Sequence, residues 1–542
     1  KKGNEGFYFF SDEDVAAIRS SAKTQWGKKI IADLEQKVKE RRKHSLEVPK
    51  EEGGHFHDYF CPVHNLQFTF RWDKPLAQYC SACDKEWIGN NRYDWAWIYE
   101  VHMLNRDYMY QCMYLYLATG KRQYADYIRT MLLDYAGKYA GWFEHNSGRK
   151  ATDQHSGKAF AQSLDEANWA TKVAMAYMAI KPVLSKEEVK AIEEGYLQPA
   201  ATLLLHRPAG ANWQMWHNSG LAALGIALEN DSIVDVAINK DKYGYHYLIG
   251  KHKNSDGWIN EGSPHYHYYP LEALLFTANA VKCRGIKLFD KDLHDMFVEP
   301  VKGTYPDLSF PAHSDGWYGA NLLSQSALYE VGNARYNDPF LKRVLELTYA
   351  QKKRLDPEAL LSNQLIKASE ESLLQKSYSF DTSGFCLLRS DTRTVVLKFG
   401  GEGIGHGHPD KLSITIHDGK NELVSDFGTS GYGVPDYLKW YKRTLSHNTV
   451  TVDAKDQKRS VGKLLKFNPR SDGGYAEAET TTAYPGVRMK RSLDLKGTHL
   501  QDVYTCTSDS SHLYEYVILF NEKPLMDGQP TATTLTGSEV HE

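Results

Sequence analysis

The segment GHGHPDKLSITIHDG, residues 405–419, holds three histidines and two aspartates. Imidazole and carboxylate groups are the side chains that proteins use most often for proton transfer and for binding zinc. Each of these residues alone is more often structural, but their joint occurrence with Asp426 and His447 favours a site. His408, Asp426 and His447 form a two-histidine, one-carboxylate set, which predicts a structural zinc ion.

The two histidines of the GHGH motif are separated by one residue, which raises the question of where each one points. Alternate residues share a face only when a strand is regular, and Gly407 between them permits a bend. We therefore expect His406 to face a cleft and His408 to face the zinc ion on the other side. The metal would then fix the wall that carries His406.

A second candidate metal site lies in CPVHNLQFTFRWDKPLAQYCSAC, residues 61–83. Cys61 and His64 form a C-x2-H pair, and Cys80 and Cys83 form a C-x2-C pair, as in the two knuckles of a tetrahedral zinc site. A site with four protein ligands stabilises a loop and does not catalyse. Free thiols or a disulfide are the alternative, and the seven cysteines of the chain leave at least one unpaired.

Two apolar helical segments begin with polar and aromatic clusters. The first, ANWQMWHNSGLAALGIAL, contains Asn212, Trp213, Trp216 and His217. An asparagine beside indoles at a helix start is suited to a sugar carboxylate, although helix capping is the alternative and is favoured for Asn218.

The second segment, DGWINEGSPHYHYYPLEALLFTANAV, contains Glu261, His265, Tyr266, His267, Tyr268 and Tyr269. Aromatic packing explains most of these residues. A tyrosine with a shifted pKa could instead act as a proton shuttle.

The elements that must position these residues change type along the chain. Residues 11 to about 370 show apolar residues at three- and four-residue spacing, interrupted by Gly or Pro, which predicts helices. From about residue 378, alternating β-branched and aromatic residues with short turns predict antiparallel strands. We therefore expect an α+β multidomain protein, with a helical segment at 1–50, a helical domain at 51–375 that carries the cysteine-rich insert at 55–90, and a β domain at 376–542 that continues beyond Glu542.

Composition excludes several classes of partner. A net charge of −3 gives no overall attraction to nucleic acid, and the chain lacks an apolar run long enough to span a membrane. The first residues, KKGNEGFYFF, contain neither a starting Met nor the apolar region of a signal peptide, which indicates a trimmed chain. The 35 Tyr and 12 Trp residues fit a core or a carbohydrate groove equally well.

Four motifs in order, NWQMWHNSG, EGSPHYHYYPLEAL, GHGHPDKLSITI and RTLSHNTVTVD, resemble the heparinase II/III superfamily of polysaccharide lyases. The exo-acting branch, with its oligoalginate lyases and exo-heparinases, is the most similar. The resemblance implies an incomplete (α/α) toroid followed by an antiparallel β-sandwich, in a periplasmic or secreted enzyme. It also implies β-elimination: a base removes the C5 proton of a uronic acid, the C4–O bond breaks, and the product carries a 4,5-unsaturated uronate.

The same resemblance implies a role for individual residues. Asn212 matches the group that neutralises the uronate carboxylate, with His217 or Arg443 assisting, while Tyr266 and His406 match the proton-transfer groups. Tyr268 and Tyr269 are the alternatives to Tyr266. The expected substrate contacts are Trp213, Trp216, Glu261, His265, Tyr268 and Arg443.

The substrate and the mode of action stay open at the sequence level. Heparin or heparan sulfate is favoured over alginate, and an exo action is expected if the segment around Cys61–Cys83 closes one end of the groove. A glycoside hydrolase using Glu261 with Asp256 or Asp94, or a sugar-binding protein without activity, are the competing classes. The sequence leaves the oligomeric state open, a dimer included.

Overall fold

The computed structural model describes residues 9–150, 155–369, 373, 376–401, 405–432 and 434–525. Its contacts divide the chain into two compact units. The first unit comprises Lys1–Lys251, Tyr269–His294 and Ser326–Glu370, and the second comprises His252–Tyr268, Asp295–Gln325 and Glu371–Glu542. Along the described stretches, every helix is too short or too polar to cross a bilayer.

The first unit is built mainly from helices. Ser11 and Ser185 begin two of them as capping boxes, in which Asp14 and Glu188 return a hydrogen bond to the capping residue. The helices of the chain are α1 (Asp12–Lys23), α2 (Gln25–Arg41), α3 (Asn91–Thr119), α4 (Arg122–Tyr139), α5 (Ser163–Ile180), α6 (Lys186–Ile192), α7 (Gln198–Leu205), α8 (Ala211–Ala227), α9 (Asp231–Asn239), α10 (Tyr245–His252), α11 (His265–Val281), α12 (Lys291–Val298), α13 (Ser326–Tyr336) and α14 (Pro339–Gln351).

The centre of the first unit is the packing of α5 against α3 and α8. Both α5 and α8 are rich in Ala and are buried on nearly every side, as expected for helices inside a helical core. Gly220 of α8 faces Ala167 of α5, and a Cβ at this glycine would lie 2.8 Å from Leu204 Cδ1. The small residue therefore permits the close approach that holds the start of α8 in place.

The second unit is an antiparallel β structure. Its eight-stranded sheet has the order β12-β11-β10-β4-β5-β6-β7, with β3 paired to β4, and β8 pairs with β13 as a separate ribbon. The strands of the chain are β1 (Ala77–Cys80), β2 (Lys85–Ile88), β3 (Tyr378–Phe380), β4 (Phe385–Arg389), β5 (Thr394–Lys398), β6 (Ser413–His417), β7 (Glu422–Val424), β8 (Val450–Val452), β9 (Lys463–Arg470), β10 (Gly473–Tyr484), β11 (Val487–Lys496), β12 (His499–Ser508) and β13 (Tyr514–Tyr516).

The ribbon covers part of the sheet. Val450 and Val452 of β8 belong to the same buried cluster as Leu397, Ile414 and Met489 of the sheet. A strand pair packed on a sheet through alternating apolar residues gives the layered core of a sandwich. The GHGHPDK segment leads directly into β6, so this core fixes the position of the motif.

The change from helix to strand falls where the sequence predicts it, because β3 begins at Tyr378. The division into compact units is less simple. Residues 252–268 and 295–325, inside the predicted helical range, cluster with the sheet. Large parts of both segments are turns and irregular backbone, which carry no helical period that could assign them to either domain.

Candidate active site

Tyr266 lies in the first turn of α11, in the second unit. The Ser263 hydroxyl accepts a hydrogen bond from the Tyr266 backbone N–H at 3.2 Å, which caps the helix start. Pro264 follows this capping residue, where a proline is tolerated because the first N–H groups of a helix have no helical partner. The helix start therefore holds the phenol at the edge of the irregular segment 253–264.

Two phenols and an imidazole form a connected cluster. The Tyr266 hydroxyl shares a hydrogen bond with the Tyr432 hydroxyl, which also lies 3.1 Å from Nδ1 of His406. The His406 ring stacks on the Tyr266 ring, with centroids 3.6 Å apart and planes 16° from parallel. All three side chains are partly exposed. A hydrogen-bonded path therefore joins groups that a ligand can reach.

Asp315 is the buried anchor of this cluster. Its Oδ2 lies 2.9 Å from Nδ1 of His406 and accepts a hydrogen bond from the Tyr437 hydroxyl at 3.0 Å. Its Oδ1 lies 2.9 Å from Nε2 of His408, and the Lys442 ammonium is 3.8 Å from Oδ2. Burial would raise the pKa of this carboxyl, but the hydrogen bonds from the two histidines and the nearby positive charge hold it well below its usual range. Asp315 is therefore an anion that orients its donors.

The pKa of Tyr266 is raised above the usual value of a phenol. Burial is the main cause, and the Asp315 and Glu261 carboxylates add to it, while the hydrogen bond with Tyr432 opposes it. Glu261 is itself buried and lies 3.6 Å from Nε2 of His406. The phenol thus carries its proton in the free protein, and it can act as a base only after passing that proton along the cluster.

His406 is partly exposed and stacks on Tyr266, whereas His408 is buried near His447, yet the two histidines share one partner. Both imidazoles approach the carboxylate of Asp315, one at each oxygen. The alternation of a strand does not apply to them, because β6 begins only at Ser413. The two imidazoles of the motif therefore contact the two oxygen atoms of one carboxylate.

The other predicted substrate contacts near Tyr266 have different surroundings. His265 is partly exposed, and its ring centroid lies 6.1 Å from that of Trp317. Tyr268 is buried against Phe310, with centroids 5.6 Å apart, so we no longer place it among the substrate contacts. Arg443 donates a hydrogen bond to Asp456 at 2.6 Å.

The predicted residues of the NWQMWHNSG motif lie on α8, in the first unit. Trp213 is partly exposed and Asn212 is buried near the start of the helix. Trp216 is fully buried against Tyr269, at 5.1 Å between ring centroids, which removes it from the set of substrate contacts.

His217 is also a core residue. Its Nε2 lies 3.1 Å from the Ser163 hydroxyl, and burial lowers its pKa to about 4. A neutral, fully buried imidazole packs the helix and does not reach a substrate, so we withdraw the catalytic assignment of His217. Asn218 lies inside α8 and donates to the backbone carbonyl of Tyr243 at 2.7 Å, which replaces its predicted capping role.

The predicted zinc set of the β domain is partly assembled. Nδ1 of His447 lies 3.0 Å from Oδ2 of Asp426, and Asp410 joins them in a group whose candidate ligand atoms lie within 4.8 Å of one another. The His408 ring is 5.2 Å from that of His447. Among the described atoms, Nδ1 of His408 and Nε2 of His447 are buried without a hydrogen-bond partner, which fits metal donors. The Lys398 ammonium forms a salt bridge with Asp410 and would compete with a metal ion for this carboxylate.

The four ligands predicted in the cysteine-rich segment come together in the first unit. Cys61, His64, Cys80 and Cys83 each bring one sulfur or nitrogen atom to within 4.8 Å of the others. The three cysteines are free thiols in this structure.

Sequence reasoning missed four residues of the cluster, namely Asp315, Tyr432, Tyr437 and Lys442. Asp315 stands in the irregular sequence PAHSDGWYG, and the other three stand in SGYGVPDYLKWYK. The available signals were an aspartate two positions after a histidine in a glycine-containing loop, and several tyrosines downstream of the GHGH motif. Neither has the spacing of a known motif.

Two family models match separate parts of this chain. Residues 101–298 match the family model described as alginate lyase, and residues 373–524 match the one described as heparinase II/III-like, C-terminal. These matches confirm the resemblance that the sequence motifs indicate.

Individual relatives extend the comparison. An alginate lyase of Stenotrophomonas maltophilia is 29% identical over 78% of this chain and 63% of its own length. An exo-oligoalginate lyase of Saccharophagus degradans is 26% identical over 79% of this chain and 64% of its own length. The chain thus spans less than two thirds of each of these relatives.

A solved structure confirms the predicted fold class. The heparan sulfate lyase of Pedobacter heparinus superposes with a TM-score of 0.54 at 15% identity, over 92% of this chain and 79% of that protein. At this identity the likeness concerns the fold alone. It agrees with the incomplete (α/α) toroid followed by an antiparallel β-sandwich that the family resemblance implies.

Proposed function

We propose that this chain, which carries the alginate lyase and the heparinase II/III-like C-terminal family regions, is a polysaccharide lyase that cleaves uronic-acid chains by β-elimination. The observation that carries the proposal is the path from the Tyr266 hydroxyl through the Tyr432 hydroxyl to Nδ1 of His406. Elimination at a uronate needs one group that takes the C5 proton and one that protonates the leaving oxygen. A partly exposed phenol with a proton path can do both in turn.

The proposed steps start from the protonated phenol. Tyr266 passes its proton to Tyr432, and Tyr432 passes its own to Nδ1 of His406 in the tautomer that holds its proton on Nε2. The resulting imidazolium donates from Nδ1 to Asp315, 2.9 Å away, which balances its charge. The Tyr266 phenolate then removes the C5 proton, the C5–H electrons form the C4=C5 bond, and the C4–O bond breaks. The regenerated phenol gives the proton to the leaving oxygen, so the substrate loses and regains one proton in total. Asn212 stays the predicted partner of the uronate carboxylate, as the family resemblance implies.

Alginate or its oligosaccharides are the substrates that we now favour. The two relatives that share most of this chain's length are named for alginate and oligoalginate. Two of the three cations between Tyr432 and Thr444, Lys442 and Arg443, face the Asp315 and Asp456 carboxylates, while Lys439 is exposed. The two paired groups are poorly suited to bind sulfate, which weakens the predicted preference for heparin over alginate.

A hydrolase is less well supported. The carboxylate of Asp256 accepts hydrogen bonds from the backbone N–H groups of Thr382 and Ser383 and from the Ser383 hydroxyl. A carboxylate held in this way supports a loop. A pair with Glu261 for glycoside hydrolysis, which needs two carboxylates facing one bond, is therefore not favoured.

Digestion of a panel of polysaccharides tests the proposal. Alginate, heparin, heparan sulfate, chondroitin and hyaluronan are incubated with the protein, and the ultraviolet absorbance of the conjugated C=C bond is followed together with the reducing ends. We expect absorbance to rise with alginate or its oligosaccharides. Reducing ends without absorbance would indicate a hydrolase, and neither signal on any substrate would contradict an enzymatic role.

We further propose an exo action, which is supported by the exo-oligoalginate lyase relative. The expected result is a small unsaturated product from the earliest time points, with slow loss of polymer viscosity. Size-exclusion chromatography of early samples measures this. An early ladder of longer oligosaccharides would show that the chain is cut internally.

We also propose that His408, Asp426 and His447, with Asp410 beside them, hold a structural zinc ion. The two buried imidazole nitrogens without a described partner support this set. Its role would be to fix the segment that carries His406, with no part in the elimination itself.

Replacing His447 by alanine should remove about one zinc ion per chain and lower the melting temperature by several degrees. The matched control is His512→Ala, since His512 also pairs with an aspartate, Asp453, at 2.8 Å, but belongs to no candidate metal group. Elemental analysis and thermal unfolding provide the two measurements. Equal zinc content in both variants would refute this site.

A further inference from the structure

We propose that Cys61, His64, Cys80 and Cys83 bind a structural zinc ion that closes residues 59–88 into a small module of the first unit. The proposal is independent of the lyase activity, because the module contains none of the residues assigned to proton transfer. It rests on ligand geometry, on two backbone turns and on the small size of the local core.

The distances between the four donor atoms fit a tetrahedral site. Sγ of Cys61 lies 3.5 Å from Sγ of Cys83, and Nδ1 of His64 lies 3.0 Å from the latter. The same nitrogen lies 3.9 Å from the sulfur atoms of Cys61 and of Cys80. With zinc–sulfur bonds of about 2.3 Å, the sulfur atoms of a tetrahedral site are about 3.8 Å apart. The ligand atoms thus already surround a space of the right size.

A disulfide does not account for this arrangement. Bonded sulfur atoms are about 2.05 Å apart, whereas the sulfur atoms of Cys61 and Cys83 are separated by 3.5 Å. A disulfide would also leave unexplained why His64 and the third thiol lie next to the bonded pair. Three sulfurs and one imidazole nitrogen are, by contrast, a common ligand set for structural zinc.

Two turns of the backbone present the ligands in pairs. In the first, the N–H of Cys61 donates to the carbonyl of Leu66 at 2.8 Å, and the N–H of Asn65 donates to the carbonyl of Cys61 at 3.0 Å. In the second, β1 ends at Cys80 and β2 begins at Lys85, so Cys83 lies in the hairpin turn between them. Each turn brings two ligands to the same side, as in a zinc knuckle.

The apolar core of the module is too small to stabilise its fold. Its buried cluster contains Tyr59, Cys61, Phe68 and Cys80, which pack with Ala96 of α3, and its only regular element is the two-stranded β1–β2 hairpin. An isolated hairpin is at best marginally stable, and small domains of this kind usually depend on a metal or a disulfide. A bound zinc ion would supply the missing stability.

The module also carries a tryptophan that docks on α2. The ring of Trp72 lies under the Arg41 guanidinium, 4.1 Å from its centroid, and stacks with His44 at 5.2 Å. Trp72 and its neighbour Asp73 line a groove of about 620 Å³ together with His44 and Val48. Loss of the metal should therefore loosen Trp72 as well as the hairpin.

The experiment uses the purified full chain and measures zinc and iron by elemental analysis. We expect Cys80→Ser to lose about one zinc ion per chain, to melt at a temperature several degrees lower, and to show red-shifted tryptophan emission. The matched control is Cys283→Ser, because Cys283 is exposed and lies outside the ligand group. The control should keep the parent's zinc content and melting temperature.

A second measurement covers the case in which Cys80→Ser does not fold. Cobalt exchanged into the parent protein should give the intense visible absorption of tetrahedral thiolate coordination, and zinc added back should remove it. Iron in place of zinc, an intact-mass loss that corresponds to a disulfide, or equal zinc in the two cysteine variants would each overturn the proposal. None of these readouts depends on lyase activity, so they remain decisive even if the proposed function fails.

Discussion

Replacing Tyr266 by phenylalanine should lower kcat by about 10²-fold or more while the fold and substrate affinity are kept. The change removes only the hydroxyl that begins the path to Tyr432 and His406. The ring remains, so its stacking on His406 at 3.6 Å is preserved. The measurement is the initial rate of unsaturated product on the best substrate of the panel, with circular dichroism and the melting temperature as folding controls.

The matched control is Tyr268→Phe, two positions further along the same helix. Tyr268 is buried against Phe310, and loss of its hydroxyl should leave kcat within about threefold of the parent. Normal turnover by Tyr266→Phe combined with an inactive Tyr268→Phe would move the proton-transfer role to Tyr268. If both variants are active, Tyr269 becomes the remaining candidate and the proposed path is wrong.

The sequence predicted the architecture because its signals are local. Helices of 12 to 29 residues such as α1 and α3 show their period within one window, and the long strands β10 and β11 alternate buried and exposed or half-buried residues over most of their length. The irregular segments 253–264 and 313–317 have no such period. Their association with the sheet depends on contacts distant in sequence, which a local pattern does not contain.

The same distinction explains which site residues were found. Tyr266 and His406 stand in motifs that resemble a known family. Their partners are single residues: Asp315 is 91 positions from His406, and Tyr432 is 166 positions from Tyr266. An isolated aspartate or tyrosine in a loop has no sequence feature that separates it from ordinary surface residues. The burial of Trp216 and His217 could not be predicted from a local pattern either, because it depends on the packing of α8 in the helical core.

Replacing Asp315 by asparagine should lower kcat by about 10- to 100-fold, which is what the loss of one or more hydrogen bonds to a charged group would produce. Asparagine has nearly the same size as aspartate, but it has no negative charge and only one acceptor oxygen. It cannot serve Nδ1 of His406, Nε2 of His408 and the Tyr437 hydroxyl together, as the carboxylate does. His406 would then lose both its orientation and the charge that balances its proton.

The split between kcat and KM distinguishes this role from a general loss of structure. In the cluster described above Asp315 contacts protein groups, so it acts on the substrate only through His406 and Tyr432. We therefore expect KM to change by no more than about threefold while kcat falls. The matched control is Asp307→Asn, which removes a carboxylate paired with another histidine, His417, at 3.6 Å. The control should leave kcat unchanged.

Stability gives the second readout for Asp315. Its carboxylate is buried and binds several donors, so the asparagine variant should also melt at a lower temperature. Activity must therefore be compared at a temperature where both proteins are fully folded by circular dichroism. If folded Asp315→Asn retains the parent's kcat, the carboxylate serves only to hold the GHGH segment, and His406 does not need it to take up a proton. If KM rises while kcat stays constant, Asp315 instead shapes the binding surface, and the proton path through Tyr432 must end on another group.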